Sequence, residues 1–400
     1  MHAYLTADLP GIGGIIKETP EDFKVTEIPL YLPCGEGEHA YVEIEKRGLT
    51  TLEAIRRIAR SLGVSERDIG YAGLKDARGV TCQTLSIPRV DKEQLLSLSL
   101  QGIKILSANR HRNKLKTGHL AGNRFSIRVR AIESDAREKA EAVLSILSER
   151  GVPNYFGSQR YGGLGNSHHI GRAILHRDFK GTIDAIMGDP AKVRDEHWRQ
   201  AVETYHQGDL TGSLEHFPGH CRTEREILHR LIKRPEAFER ALDAVSPRLK
   251  KLYLSAYQSS LFDRVLEQRL HRIDTIEDGD LAYRHDKGAC FLVEDSAAEA
   301  ERAREFSISP TGPMFGCKMI LPAGKPREAE EKILQEESVS LEAFNLPGGL
   351  RLEGERRPLR VPLQNLSTSM DVDGLVLNFS LPRGVYATSV LREIMKAEES

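Results

Sequence analysis

No stretch of this 400-residue chain approaches the ~20 consecutive apolar residues that a membrane-crossing helix needs, so no membrane partner is expected. The opening, "MHAYLTADLPGIGG", lacks the basic start and long apolar run of a secretory leader, and the expected location is cytoplasmic. Cysteine is sparse: Cys34, Cys82, Cys221, Cys290 and Cys317 are odd in number, widely spaced and without a C-x-x-C pair. That argues against a disulfide framework and suits a reducing compartment. His216, His220 and Cys221 in "HFPGHC" lack a convincing fourth ligand, so they read as polar loop residues rather than as a zinc site. An excess of positive charge is missing too. Lys and Arg number 57 against 58 Asp and Glu, a net charge of −1, which excludes a globally basic nucleic-acid binder.

Several catalytic motifs are also missing. "HRDF" (His176 to Phe179) resembles a kinase catalytic loop but has no downstream Asn, no D-F-G and no glycine-rich loop before it. "GIGG" (Gly11 to Gly14) and "GGLGNS" (Gly162 to Ser167) complete neither a dinucleotide fingerprint nor a P-loop. There is no G-x-S-x-G and no H-E-x-x-H.

What is present is an ordinary globular composition, 40% hydrophobic and 29% charged, at a length that suggests two domains. "DFKVTEI" (Asp22 to Ile28) and "AYVEIEK" (Ala40 to Lys46) alternate as strands do. "TTLEAIRRIARSLG" predicts a helix, with a Thr50/Glu53 capping box, a Gly63 stop and an apolar face of Leu52, Ile55, Ile58, Ala59 and Leu62. "RFSIRVRAI" sets Phe125, Ile127 and Val129 against Arg124, Ser126, Arg128 and Arg130, a strand with one buried and one cationic face. A further helix follows and ends at Gly151. From about Ile170 to Gln268 the pattern is mostly helical, strongest over Leu249 to His271, with Leu252, Ala256, Ser259, Leu266 and Leu270 near one side. "GACFLVED" and "KMILPAG" are short strand candidates, "LVLNFSLP" alternates Leu375, Leu377, Phe379 and Leu381, and "ATSVLREIMKAEE" reads as a helix. A C-terminal strand without a later partner could pair back into the N-terminal sheet, which would make the middle of the chain an insertion.

Between Lys104 and Arg130 eight Lys and Arg residues occur with no intervening acid. This suits contact with a phosphate backbone, or equally a face balanced by acids elsewhere in the fold. Four stretches put a polar or charged group beside an aromatic: "IKETPEDFKVTE" with Lys17 and Phe23, "GLKDARGVT" with Asp76, "GNRFSIRVR" with Asn123 and Phe125, and "NFSLPRG" with Phe379. An aromatic can stack on a flipped nucleobase while an amide reads its edge. Strand alternation puts Phe125 and Phe379 on apolar faces, so each ring taken alone reads first as core.

Taken together these stretches resemble the TruD family of tRNA pseudouridine synthases. The resemblance runs through "KETPEDFKVTE", "GEGEHAYV", "AGLKDARGVTCQ", "HLAGNRFSIRVR", "VPNYFGSQRYG", "LSAYQSSLF" and "LPRGVYATSVLRE", in family order along nearly the whole chain. The "AYQS" helix is similar to the archaeal and eukaryotic branch, and Asp263 stands where the family often has Asn.

The resemblance implies an α+β pseudouridine-synthase catalytic fold, a mixed or antiparallel sheet with flanking helices, built from residues 1–157 and 348–400. It implies an inserted TruD-specific α+β domain at 158–347. It also implies isomerisation of uridine 13 of tRNA to pseudouridine. Asp76 would be the catalytic nucleophile and Lys17 the cation that keeps it ionised. Lys75 is adjacent in sequence, but its side chain is free to point elsewhere. Phe125 would stack on the flipped base, Asn123 would bond the uracil edge, and Phe23 and Phe379 would complete the pocket walls. Gly122 would let backbone approach closely, and Lys104–Arg130 with the groups around Arg160 would meet phosphates. The reaction has no redox change and needs no energy source, so no cofactor and no metal are expected. The partner is tRNA, no protein partner is evident, and monomer is the default. The competing reading is a catalytically inactive RNA-binding protein of the same fold.

Overall fold

The computed structural model describes residues 3–397. The fold is α+β, and the chain forms two compact units. One comprises Tyr4–Val152 and the chain from Val361 onward, the other Pro153–Arg360. The domain limits implied by the resemblance, 157/158 and 347/348, lie inside the second unit. Strand Glu355–Pro358 pairs there with Ile308–Met314, and Asn154 donates from its side-chain amide to the Pro358 carbonyl and from its backbone amide to the Leu359 carbonyl.

The discontinuous unit is built on an eight-stranded sheet. Its strands are β1 (Phe23–Pro29), β2 (His39–Arg47), β3 (Gly70–Tyr71), β4 (Val80–Pro88), β5 (Ile103–His111), β6 (Leu120–Val129), β7 (Gln364–Asp371) and β8 (Gly374–Pro382). They lie in the order β7-β8-β6-β1-β4-β2-β5, with β3 on β4. Phe379 sits opposite Phe125, so the C-terminal strand pairs back onto β6. β1 and β4 run parallel, with Lys24 opposite Val80, whereas β1 and β6 are antiparallel.

Alternation divides the inner face of this sheet into two cores. Phe23 and Val25 of β1, Phe125, Ile127 and Val129 of β6 and Leu375, Leu377 and Phe379 of β8 pack with α2 (Ala136–Arg150) and α3 (Ala387–Met395). Val42 and Ile44 of β2 and Leu85 and Ile87 of β4 pack with α1 (Thr51–Leu62). Thr50 caps α1 by accepting from the Glu53 amide, and Gly63 ends it at φ +67°. The Glu53 side chain pairs with Arg56 and Arg57 instead of returning to the cap. Leu52, expected on the apolar face, is exposed, and Ala54 is buried. Near the junction of β1, β4 and β6 the inward positions are polar: Glu27, Thr81, Gln83 and the half-buried Asn123.

The second unit carries helices from Ser167–Leu175 to Pro247–Arg269 and a four-stranded sheet, in the order Glu355–Pro358, Ile308–Met314, Leu281–Arg284, Cys290–Leu292. The long helix Pro247–Arg269 buries Leu254, Ala256, Leu261, Phe262 and Leu266 on more than one side, while Leu252 is exposed. "GACFLVED" supplies the short strand Cys290–Leu292, but "KMILPAG" forms no strand. Pro322 removes a ladder donor there, Ile320 faces solvent, and a helix starts at Gly324. Asp263 accepts from the Phe156 amide at 3.2 Å and from the Tyr161 hydroxyl.

Candidate active site

The parallel join of β1 and β4 sets the site. The segments that enter these neighbouring strands lie side by side, so Lys17 and Phe23 meet the "GLKDARG" loop. Gly79 sits where a Cβ would overlap the Phe23 carbonyl oxygen, so glycine is required for this approach.

Lys17 Nζ donates to Asp76 Oδ2, and Lys17 and Asp76 are both partly buried. The Arg78 amide donates to Asp76 Oδ1 at 2.9 Å. Burial pushes the Asp76 carboxyl up. The Lys17 hydrogen bond, the Arg78 amide and the charges of Lys17 and Lys46 outweigh burial and hold it below its ordinary value. Lys17 Nζ also lies 4.2 Å from the Phe23 ring centroid, a cation–π contact.

Lys17 has φ +60°, a left-handed conformation that costs a non-glycine residue roughly 1–2 kcal/mol. The surrounding chain enforces it. Ile15 and Arg130 exchange backbone hydrogen bonds at 2.8 and 2.9 Å. Fully buried Asp22 accepts from the Arg130 guanidinium and from the Thr19 amide, and Arg130 beside it holds its carboxyl well below the usual carboxylate range. The stretch that carries Lys17 is thus tied to Arg130 at both ends.

Lys75 points away from its neighbour's carboxylate. Its Nζ donates to Asn123 Oδ1 at 2.8 Å and lies 2.9 Å from Glu27 Oε2, the latter a charge contact rather than an aligned hydrogen bond. Phe23, Phe125 and Phe379 form a row: Phe23 and Phe125 meet edge-on at 6.4 Å between centroids, Phe125 and Phe379 at 5.3 Å. Phe23 is 5% exposed, Phe125 6% and Phe379 0%, so all three belong to the core, and Phe379 bears on the site through Phe125. Gly122 does permit a close approach, but to the Leu381 carbonyl of β8, which an added Cβ would strike.

Sequence reasoning missed Lys46. It is fully buried, and its Nζ donates to the carbonyls of Asp76 at 2.9 Å, Leu49 at 2.5 Å and Lys75 at 3.5 Å. Burial pushes its ammonium down to about 8, with Asp76's charge acting the other way. A signal for it existed: Ala40, Val42, Ile44 and Lys46 share the inward parity of β2, as Phe23, Val25 and Glu27 do on β1.

The basic stretch is largely consumed. Arg110 pairs with Asp91, Arg112 with Glu36, Arg128 with Asp22 and Asp371, and Arg130 with Asp22, while Lys114 donates to the Arg67 carbonyl. Arg160 is bound by Ser255 and Ser259 of its own unit. Among the described residues, Lys104, Lys116 and Arg124 are exposed and carry no ion pair.

A mixed sheet with a parallel join, and a carboxylate held by Lys17 just before the joined strands begin, defines the class: an α+β protein with a carboxylate-centred site. The sequence profile of the family described as tRNA pseudouridine synthase D (TruD) matches residues 1–394. The tRNA pseudouridine synthase D of Geobacter sulfurreducens is 64% identical over 393 residues, covering 98% of this chain and 96% of that protein. That of Syntrophotalea carbinolica is 50% identical over 398 residues, covering 100% of both. A crystal structure from Methanosarcina mazei described as tRNA pseudouridine synthase D (TruD) superposes with a TM-score of 0.87 at 30% identity, over 99% of this chain and 96% of that one. The chain belongs to the TruD family.

Proposed function

We propose that this protein is a tRNA pseudouridine synthase that converts uridine 13 of tRNA to pseudouridine, with Asp76 as the catalytic nucleophile. The observation that carries the reading is the Lys17–Asp76 pair, held beside Phe23 where two parallel strands begin. The reaction detaches uracil from C1′ and rejoins it through C5, so atoms and electrons balance within the substrate and no cofactor is called for. Asp76 has to be ionised, whether it attacks C1′ or C6 or takes a sugar proton. An unpaired buried carboxylate would protonate, and Lys17 opposes that.

The uridine leaves its stack at a cost of a few kcal/mol. Phe125 receives the base with Phe379 beneath it, Phe23 closes the side toward Lys17, and Asn123 binds the uracil edge. In this reading the discontinuous unit does the chemistry and Pro153–Arg360 is the inserted domain of the family. The protein acts on tRNA as a monomer.

The test is tritium release from tRNA labelled at C5 of uridine. Wild type releases tritium and Asp76→Ala does not. Asp76→Asn melts near the wild-type temperature and is also silent. A wild-type protein that binds tRNA without release would be an inactive RNA binder, and an unfolded Asp76→Asn would make the acid structural.

A further inference from the structure

We infer that Lys75 is a positioning residue that sets the choice of uracil over cytosine by locking the amide of Asn123. The inference rests on the proposed reading that a flipped pyrimidine meets Asn123.

Lys75 is fixed along its length. Its backbone amide donates to Thr51 Oγ1 at 2.9 Å, and Thr51 Oγ1 in turn donates to Gln83 Oε1 at 2.8 Å. Its carbonyl faces Lys46 Nζ at 3.5 Å. The side chain then runs to Asn123 and Glu27, which occupy opposed positions on β6 and β1. The Lys75 and Glu27 side chains are 5% and 3% exposed. Glu27 supplies the counter-charge without which a buried ammonium would be costly, and its other oxygen accepts from the Thr84 amide at 3.3 Å.

An ammonium has three donors and no acceptor, so the amide atom that faces it has to be oxygen. The Lys75 contact therefore turns Asn123 Nδ2 away from Lys75, and no described residue accepts from Nδ2. A half-buried asparagine held in this way has Oδ1 committed on the Lys75 side and Nδ2 left to donate to a base.

That selects one pyrimidine edge. Uracil carries a carbonyl acceptor at position 4, whereas cytosine carries an amino donor there. Nδ2 directed at position 4 bonds uracil and opposes cytosine donor to donor. Leaving a polar group unpaired lowers affinity about 5- to 150-fold. A free asparagine could rotate its amide and accept from cytosine with its oxygen, and Lys75 prevents that rotation.

The test is the dissociation constant for tRNA carrying uridine or cytidine at the target position, measured by fluorescence anisotropy in the non-reacting Asp76→Asn background. Uridine should bind about fivefold tighter or more. Adding Lys75→Met strands Glu27, so Lys75→Met with Glu27→Gln is the second variant, accepted once its melting temperature is near that of the background. In it the cytidine-to-uridine ratio should fall toward one, chiefly through tighter cytidine binding. A ratio that stays unchanged in the folded double variant, with both RNAs weakened alike, makes Lys75 merely structural and overturns the inference. Equal binding of both RNAs before Lys75 is altered also overturns it, and tritium release by wild type then shows whether the synthase reading still stands.

Discussion

Asp76 is held by two lysines acting on different atoms: Lys17 on its carboxylate and Lys46 on its carbonyl. Lys17→Met should lower turnover about 10²-fold, the scale of losing one preorganised electrostatic partner, with a smaller effect on tRNA affinity. Single-turnover rates and binding curves separate the two, and equal losses in both would count against the role. The acid limb of turnover should lie below the ordinary carboxylate value in wild type. It should move up in Lys17→Met, where burial is opposed only by the Arg78 amide and Lys46. A carboxylate depressed on folding adds stability above its unfolded value and loses it as pH falls through the folded one, so acid weakens fold and activity together here. Lys46 shifts stability with the same sign but links it to activity the other way. Its ammonium is pushed down to about 8, so the unfolded chain binds the extra proton between there and the ordinary lysine value, and stability rises with pH across that window. Turnover should fall over the same window as the clamp on the Asp76 carbonyl weakens. Lys46→Met should lose both slopes, read from denaturation and from rate at each pH. A wild type in which rate and stability rise together above pH 8 would exclude this role. Asp76 itself was visible in the sequence as an acid between Lys75 and Arg78, but its role came through resemblance. Lys46 and Glu27 are legible only by noticing a charge at inward parity, because alternation is usually read for apolar residues.

At the scale of elements, alternation made β1, β2, β6 and β8 readable because each has one face in a core. The pairing of β1 with β4 was not readable, since periodicity shows which way side chains face and not which strand lies alongside. That join brings Lys17 to Asp76, and it requires Gly79. Gly79→Ala would drive a methyl into the Phe23 carbonyl and displace the loop carrying Asp76. Turnover should drop steeply with a modest change in stability. Gly122→Ala meets the Leu381 carbonyl between two paired strands, so its effect belongs to the sheet. A loss of about 1–3 kcal/mol in urea denaturation is expected, the usual cost of overpacking. If the alanine at position 79 left turnover untouched, close approach would not be what positions the acid. Helix prediction failed at Leu252 for a different reason. Pro247–Arg269 is buried on several sides, so no single apolar stripe marks its packing face.

Across the whole molecule, a net charge of −1 is the sum of many local cancellations. The run from Lys104 to Arg130 is acid-free in sequence, yet strand pairing and returning loops bring Asp22, Glu36, Asp91 and Asp371 to it. Those acids are as far as 243 residues away, which no local reading of charge can reveal. In the proposed function, phosphate contact falls to the cations left over, of which Arg124 stands between the proposed base-binding residues Asn123 and Phe125. A cation meeting a phosphate releases counterions, and each such contact adds about 0.7–0.9 to the slope of log affinity against log salt. Arg124→Gln should therefore weaken tRNA binding at low salt and flatten that slope by about one, with turnover of bound tRNA little changed. Arg112→Gln should leave the slope near its wild-type value, because Arg112 is already matched by Glu36. Titrations of both variants over a range of salt concentrations decide the point. If Arg112→Gln flattens the slope as much as Arg124→Gln, the ion pairs open when tRNA binds, and the whole stretch, not its unpaired members, forms the RNA surface.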